Sequence, residues 1–482
     1  MSRVTDRPLD RLNGEVPVVS ASEAATLVPD TATVAVSGFG RVGYPKAVPL
    51  ALAESGRDLS LTVLSGGSVG EEIDTELLGA DAIARRFPYQ ATPEARAAAN
   101  SDAIAYQDRQ IEAFGDEVQQ GQYGAVDVAV VEAVAIGEDW LVPSTSLGHT
   151  PACIAAAERL VVEVNEVQPV ALRALHDVYV TGSAPTRQPV PLTAPGDRIG
   201  GPRIEFDPAK LAAVVVTEQP DSPYSFREPT AEDEAIAANL ATFLSAELEQ
   251  NEVFAEAVRL QFGVGSLGNA LMGEIGRIEF GDRDVAYYGE VVQDGLLDLV
   301  DDGSLSAVSA TSLALSEQGQ QRLFEDIERY AERIVLRPAD VTNGAELVRR
   351  LGVVAVNSAL EVDLYGHVNS THIDGTHVVN GIGGSADFFR NGTLAIVALA
   401  STARDGTLNR IVPRVGHVDH TEHDIDVVIT EQGVADLRGS VPRERAASLV
   451  EQCAHPSFRP TLDAYLDRAN AAGGHEPHGA DG

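Results

Sequence analysis

The segment Asp284-Val285-Ala286-Tyr287-Tyr288-Gly289-Glu290-Val291-Val292-Gln293-Asp294-Gly295 carries the reading of the fold. Residues 284–288, rich in β-branched and aromatic side chains, predict a buried strand, and Gly289 closes it in a turn that presents Glu290. A carboxylate held between glycines at a strand end can serve as a nucleophile, a role that a solvated helix face does not support. A hydrated loop glutamate is the alternative that these residues leave open. The same order of strand then glycine loop recurs elsewhere. Residues 33–36 lead into Ser37-Gly38-Phe39, residues 61–64 into Ser65-Gly66-Gly67, and residues 260–262 into Gly263-Val264-Gly265. Alanine-rich helical stretches separate these runs, which predicts an α/β protein with mostly parallel sheets.

A chain of 482 residues exceeds what one hydrophobic core usually supports, so two domains are expected, residues 1–225 and 226–469, with a disordered tail at 470–482. The boundary follows two irregular stretches rich in proline and glycine, 187–202 and 219–229. Residues 231–250 then predict a long helix, with Ile236, Leu240, Phe243, Leu244 and Leu248 at helical spacing. Residues 49–54 predict a helix with proline in first position. Residues 394–399 and 426–430 predict buried strands. No strong internal repeat is visible.

The charge is unusual: 72 acidic against 35 basic residues give a net charge of -37, and only Lys46 and Lys210 are lysine. Acid spread along the whole chain reads as a folded protein with a hydrated anionic surface adapted to high salt, and it argues against nucleic acid as a partner. Two cysteines, Cys153 and Cys453, cannot form a disulfide framework and lack the spacing of a zinc site. Charged residues within the first twenty exclude the apolar core of a signal peptide, and no stretch approaches a membrane span. A cytoplasmic location is expected.

Further motifs stand in order along the chain: Gly43-Tyr44-Pro45-Lys46, Ser68-Val69-Gly70, Val341-Thr342-Asn343-Gly344, Asp363-Leu364-Tyr365-Gly366-His367, Asn380-Gly381-Ile382-Gly383-Gly384-Ser385-Ala386-Asp387 and Thr430-Glu431-Gln432-Gly433. With Glu290 they resemble the acetyl-CoA hydrolase/transferase family of class I coenzyme A transferases, in the branch with succinyl-CoA:acetate CoA-transferases. The resemblance implies two open α/β domains of similar fold and Glu290 as the nucleophile of a route through an acyl-glutamyl anhydride and a glutamyl-CoA thioester. It also implies active-site roles for Asn343 and Glu431. Gly263, Val264, Gly265, Gly383 and Gly384 become candidates for oxyanion or CoA contact, since glycine loops bring backbone N–H groups close to a ligand.

The residues themselves leave structural readings open: tight turns for the glycine loops, a helix N-cap for Asn343 and a helix-start acid for Glu431. His417, His420 and His423 recur every three residues, but no metal site is expected because zinc ligands usually come as more widely separated pairs. Ser37 and Ser65 lie in no G-x-S-x-G elbow. The expected activity is acyl-CoA:carboxylate CoA transfer between short acids such as acetate and succinate, with acetyl-CoA hydrolysis as the alternative and non-catalytic CoA binding as a third reading. No tightly bound cofactor is expected beyond the CoA thioester substrate, and the expected assembly is a homodimer.

The charge yields a test. Self-repulsion across the surface should be screened by molar salt, where the Debye length shrinks from about 10 Å at 0.1 M to about 3 Å at 1 M. The thermal unfolding midpoint is expected to rise steeply between about 0.1 M and about 3 M KCl, and an unchanged midpoint would dissociate the acidity from salt.

Overall fold

The computed structural model describes residues 10–90, 92–222 and 227–478. Its strands form two large sheets, one from each half of the chain. The first has nine strands, with the parallel path Ala105–Tyr106, Ile83–Phe87, Ser60–Ser65, Thr31–Val36, Val126–Ile136, Ala157–Asn165 and Leu211–Thr217. The second has eight, in the order Ile334–Leu336, Ala307–Ala310, Asp284–Tyr288, Ala257–Phe262, Val353–Asn357, Leu394–Ala398, Val427–Thr430 and Gly433–Asp436. Only the last of these is antiparallel to its neighbour. Numbering the seven parallel strands of each half along the chain, both sheets read 4-3-2-1-5-6-7. The repeat is therefore one of topology. It escapes the sequence because buried parallel strands share only an apolar run.

Helices and loops cover both faces of the sheets, so the central strands are buried throughout, as Val353–Asn357 and Leu394–Ala398 illustrate. One hydrophobic cluster takes side chains from both halves, among them Leu64, Val131 and Val162 with Leu260, Val308 and Ile396. Backbone bonds also cross the seam, from Leu147 N–H to Thr311 (2.8 Å) and from Leu313 N–H to Thr145 (3.0 Å).

The long helix lies at Ala231–Gln250, opened by a capping box between Thr230 and Asp233. Ile236, Leu240, Leu244 and Leu248 are buried, and Phe243 packs at the cluster's edge. The expected boundary at residue 225 lies outside the described residues.

Two expectations need correction. The helix expected at 49–54 runs Ala47–Ala53, placing Pro49 third; the first turn tolerates it because those N–H groups lack helical acceptors anyway. The disordered tail expected from Asn470 starts too early. Asn470 belongs to the helix Arg459–Ala472, and the His478 ring packs edge-on to Tyr365 at 5.1 Å and accepts or donates a 2.8 Å hydrogen bond with the Tyr465 hydroxyl. These aromatic contacts hold a segment whose glycines read as loose. Residues 479–482 lie outside the described residues.

Candidate active site

Because the strands are parallel, the loops that follow them gather at one edge of each sheet, and ligands of open α/β sheets bind at such edges. Here the two edges face one another across a cavity of about 400 Å³. Phe39, Gly40, Gly67, Ser68, Tyr89 and Gln90 reach it from the first half, each just beyond a strand. From the second half come Gly263, Val264, Glu290, Ser358 and the loop Val379–Ser385.

Glu290 follows the strand Asp284–Tyr288 at once, as expected. Its carbonyl accepts from Thr311 N–H (2.8 Å) and Ser312 N–H (3.1 Å), so its backbone is tied to the next strand connection. Its Oε1 accepts from Asn343 Nδ2 at 2.9 Å, while Oε2 accepts no hydrogen bond among the described residues. The side chain is half-buried and faces the cavity. Desolvation pushes the carboxyl up to about 7, against the Asn343 hydrogen bond, which favours the charged form.

Asn343 is fully buried and fixed by its partners. Its Oδ1 accepts from the Thr342 hydroxyl (2.9 Å), and its Nδ2 donates both to Glu290 and to Asp387 Oδ2 (3.0 Å). Asp387 Oδ2 also accepts from Glu112 N–H of the first half (3.0 Å). Desolvation lifts Asp387 well above the usual carboxylate range, and the charge of Glu290 adds to the rise. Asn343 thus sets its amide between Glu290 and Asp387, an acid whose motif is visible in the sequence but whose coupling to Glu290 is not.

Glu431 stands elsewhere. Glu431 and Gln432 form the two-residue turn of the hairpin Val427–Thr430 and Gly433–Asp436. Its carboxylate accepts from Ser401 N–H (2.7 Å), from the Ser401 hydroxyl and from Gln432 Nε2 (2.9 Å). Burial acts to raise its pKa, but these donors hold it below the ordinary value. Glu431 does not line the cavity, so the carboxylate coupled to Glu290 is Asp387. The tight turn, which a strand-end reading overlooks, carries the Glu431 carboxylate to Ser401.

Of the glycine loops, the one that carries Gly384 lies against Glu290. A Cβ on Gly384 would lie 2.2 Å from Glu290 Oε1 and 2.5 Å from Asn343 Nδ2. The N–H groups of Val264, Gly383 and Gly384 make no hydrogen bond among the described residues. Gly263 N–H is committed to Val356 (2.9 Å), and Gly265 N–H to Gln293 (3.3 Å), where Gly265 enters the helix Ser266–Ile275 with φ +140°.

The serines and histidines have other partners. Ser37 donates to Gly43 and Ser65 to Gly67 within their loops. His420 lies between Ser370 and Ser385, His417 contacts Asp419, and His423 contacts Glu422 on the surface, so the three rings diverge. Among the described residues no group of three or more His, Cys, Asp or Glu side chains is arranged to hold a metal. Arg41 of the first loop turns toward Glu71 (3.6 Å).

Residues 7–216 match the acetyl-CoA hydrolase/transferase N-terminal domain, and residues 319–466 match the C-terminal domain. The chain belongs to the acetyl-CoA hydrolase/transferase family. It is 39% identical to a succinyl-CoA:acetate CoA-transferase of Clostridium kluyveri, over 98% of this chain and 89% of that one. A propanoyl-CoA:succinate CoA transferase of Escherichia coli is 38% identical (95% and 94%), and an acetyl-CoA hydrolase of Eremothecium gossypii is 38% identical (92% and 88%). The chain is thus an enzyme of this family. Its fold matches RipA from Yersinia pestis (TM-score 0.70, 21% identity, 93% and 96% covered) and a 4-hydroxybutyrate CoA-transferase from Porphyromonas gingivalis (TM-score 0.64, 22% identity, 94% and 97% covered).

The Gly384 contact supplies a test. Gly384 has an ordinary φ of -89°, so a substitution acts through space and not backbone strain. Gly384→Ala should displace the Glu290 carboxylate and lower acyl-CoA turnover by about 100-fold with little change in unfolding temperature. Parent-like kinetics in the folded variant would show that Glu290 does not need its present position.

Proposed function

We propose that this enzyme moves coenzyme A between short carboxylic acids, acetate and succinate among them, with Glu290 as the covalent carrier. The observation that carries this reading is the Glu290 carboxylate itself, held at Oε1 by Asn343 and open to the cavity at Oε2. The names of the C. kluyveri and E. coli relatives support the choice of acids.

Glu290 attacks the thioester carbonyl, and the tetrahedral intermediate expels CoA thiolate to leave an acyl-glutamyl anhydride. The thiolate then attacks the glutamyl carbonyl, releasing the first acid as its carboxylate and leaving glutamyl-CoA. An incoming carboxylate attacks that thioester, the thiolate leaves again and then attacks the new acyl carbonyl, and Glu290 is regenerated. No proton is gained or lost in the cycle, which suits a site whose nearby polar groups are an amide, backbone N–H groups and a carboxyl. Each intermediate carries an oxyanion, for which the unpaired N–H groups of Val264, Gly383 and Gly384 are the donors in reach of the cavity. Desolvation of Glu290 makes its ionised form reactive, while the Asn343 amide keeps it accessible near neutral pH.

Hydrolysis is the second reading, favoured by the fungal relatives named acetyl-CoA hydrolases. There water takes the place of the incoming carboxylate. Two buried free cysteines suit a reducing cytoplasm, and among the described residues no helix is long and apolar enough to cross a membrane.

Product analysis separates the readings: with acetyl-CoA, succinyl-CoA should form when succinate is present, while free CoA released at an equal rate without an acceptor acid would favour hydrolysis. Borohydride trapping after incubation with acetyl-CoA should modify the peptide containing Glu290, and Glu290→Ala should lower transfer on the order of 10⁴-fold or more in a folded protein. A label on another peptide would overturn the assignment.

The pH dependence follows from the same group. The attacking form is the carboxylate, so kcat/KM for the acyl-CoA should fall tenfold per pH unit on the acid side of about 7. Asn343→Ala removes the hydrogen bond that favours the charged form, so this limb should move to higher pH. A limb that stays in place would show that Asn343 does not tune Glu290.

A further inference from the structure

Two of the three unpaired oxyanion donors sit on a loop that does little to fix itself. Gly381, Gly383 and Gly384 fall within four residues and Gly383 takes φ +59°, so the backbone has many conformations open to it. A donor contributes fully only when it is aimed before the charge forms, so the aim has to come from ties outside the loop. Those ties are few. Val379 N–H donates to Thr371 O (2.8 Å) at the start of the loop, and Gly384 O accepts from Phe388 N–H (3.1 Å) at its end. Over residues 381–384, Ile382 N–H is the one backbone donor with a partner among the described residues, and that partner is Asp108 Oδ2 at 2.5 Å.

Asp108 belongs to the first half of the chain. It is half-buried, follows the short strand Ala105–Tyr106 and does not line the cavity. Its Oδ1 accepts from Arg109 N–H (3.0 Å), so one oxygen ties the carboxylate to its own backbone while the other reaches a residue 274 positions away. The charged groups facing it are Asp419 and Arg109, whose guanidinium is shared with Glu117 (2.9 Å), and the Tyr106 phenol stands close by. On the other side of the loop residue, Ile382 O accepts from the Ser385 hydroxyl (2.7 Å), which lies 3.2 Å from His420 Nε2. Both backbone polar groups of Ile382 are therefore held immediately before Gly383.

We propose that Asp108 is a positioning residue for the reaction: by holding Ile382 N–H across the seam, its carboxylate aims the N–H groups of Gly383 and Gly384 at the oxyanion that forms beside Glu290. This rests on the reading of those N–H groups as oxyanion donors. Asp108 acts through the loop without touching the substrate. A carboxylate accepts a charge-assisted bond, roughly twice as strong as one to a neutral oxygen, so the ionised form is the one that aims the loop. Burial lifts Asp108 to about 6, against the N–H bonds of Ile382 and Arg109, which favour its charge. The stronger bond is complete well above about 6 and is lost as pH falls through that value.

Asp108→Ala removes the acceptor, whereas Asp108→Asn keeps its shape and makes it neutral. Turnover of acetyl-CoA by both variants and the parent is measured between about pH 5 and about pH 8, and hydrogen exchange of the peptide that carries Ile382 is followed by mass spectrometry. At the upper pH kcat is expected to fall about 10- to 100-fold in Asp108→Ala and about 3- to 10-fold in Asp108→Asn, with KM within about twofold of the parent and faster exchange at Ile382 in both. The ratio of kcat/KM between parent and Asp108→Asn should approach one below about pH 6, since the Glu290 limb is common to both and cancels. A ratio that does not change with pH, or a loss that falls on KM alone, marks a merely structural role and overturns the proposal. Faster exchange with parent-like kcat also overturns it and counts against this loop as the oxyanion donor, while unchanged exchange overturns the anchor itself. Should Asp108→Ala fail to fold, Asp108→Asn alone carries the comparison. If the parent turns over no acyl-CoA, the proposed function fails separately, and the exchange at Ile382 then supports or overturns the anchor.

Discussion

One amide group stands between two carboxyl groups that low dielectric and like charge set against each other. Asn343 has two N–H bonds and uses one on Glu290 and one on Asp387, while its oxygen is occupied by Thr342. Turned over, the amide would set its oxygen against the two carboxyl groups, so its orientation is fixed by its partners. Two desolvated carboxyl groups so coupled do not ionise independently: desolvation raises both, and the charge of Glu290 raises Asp387 further. Glu290 is desolvated, and the Asn343 amide is the side chain that supports its charged form.

That arrangement ties the site to the seam between the halves. Asp387 accepts from the backbone of Glu112, and the Glu112 carboxylate accepts from Ala345 N–H, at the start of the helix that follows Asn343. On the other side, Thr311 binds the carbonyl of Glu290 while its own carbonyl accepts from Leu147 of the first half. A shift between the halves would move Glu290, Asn343 and the cavity wall together. The common strand order explains how such a seam arises: each sheet presents its loops at a single edge, and two edges turned toward one another enclose a cavity with walls from both.

Legibility in the sequence followed the range of the interactions. The strand Asp284–Tyr288 and the helix Ala231–Gln250 were readable because local periodicity specifies them, and Glu290 because a glycine turn follows its strand. Glu431 does follow the strand that ends at Thr430, but its contact with Ser401 was not legible, although strands at Val427–Thr430 and Gly433–Asp436 separated by two residues are a hairpin signal. Asp387 was hidden for another reason. Its bond to Asn343 spans 44 residues, its bond to Glu112 spans 275, and nothing local marks an acid at the start of a short helix as coupled to either. Tyr89, Gln90 and Arg96 follow the strand Ile83–Phe87 without a glycine loop, so the pattern that revealed the other walls passed over them.

The charge of -37 is a property of the surface, and the interior follows a different rule. Lys46, one of only two lysines, is fully buried with Nζ 2.6 Å from Glu132 and 2.8 Å from Asp221. Burial acts to lower its pKa, but the two carboxylates outweigh it and hold the proton. Arg86 with Asp74 and Arg337 with Asp177 are likewise buried pairs. Salt screens such pairs far less than exposed charges, so they keep their geometry over the range of ionic strength in which surface repulsion changes most. Asp221 also accepts from Gly43 N–H (3.1 Å), in the loop whose Phe39 and Gly40 line the cavity. The positioning of that wall is thereby assigned to interactions insulated from the solvent. A chain can then carry a strongly anionic exterior without its active-site geometry following the salt around it.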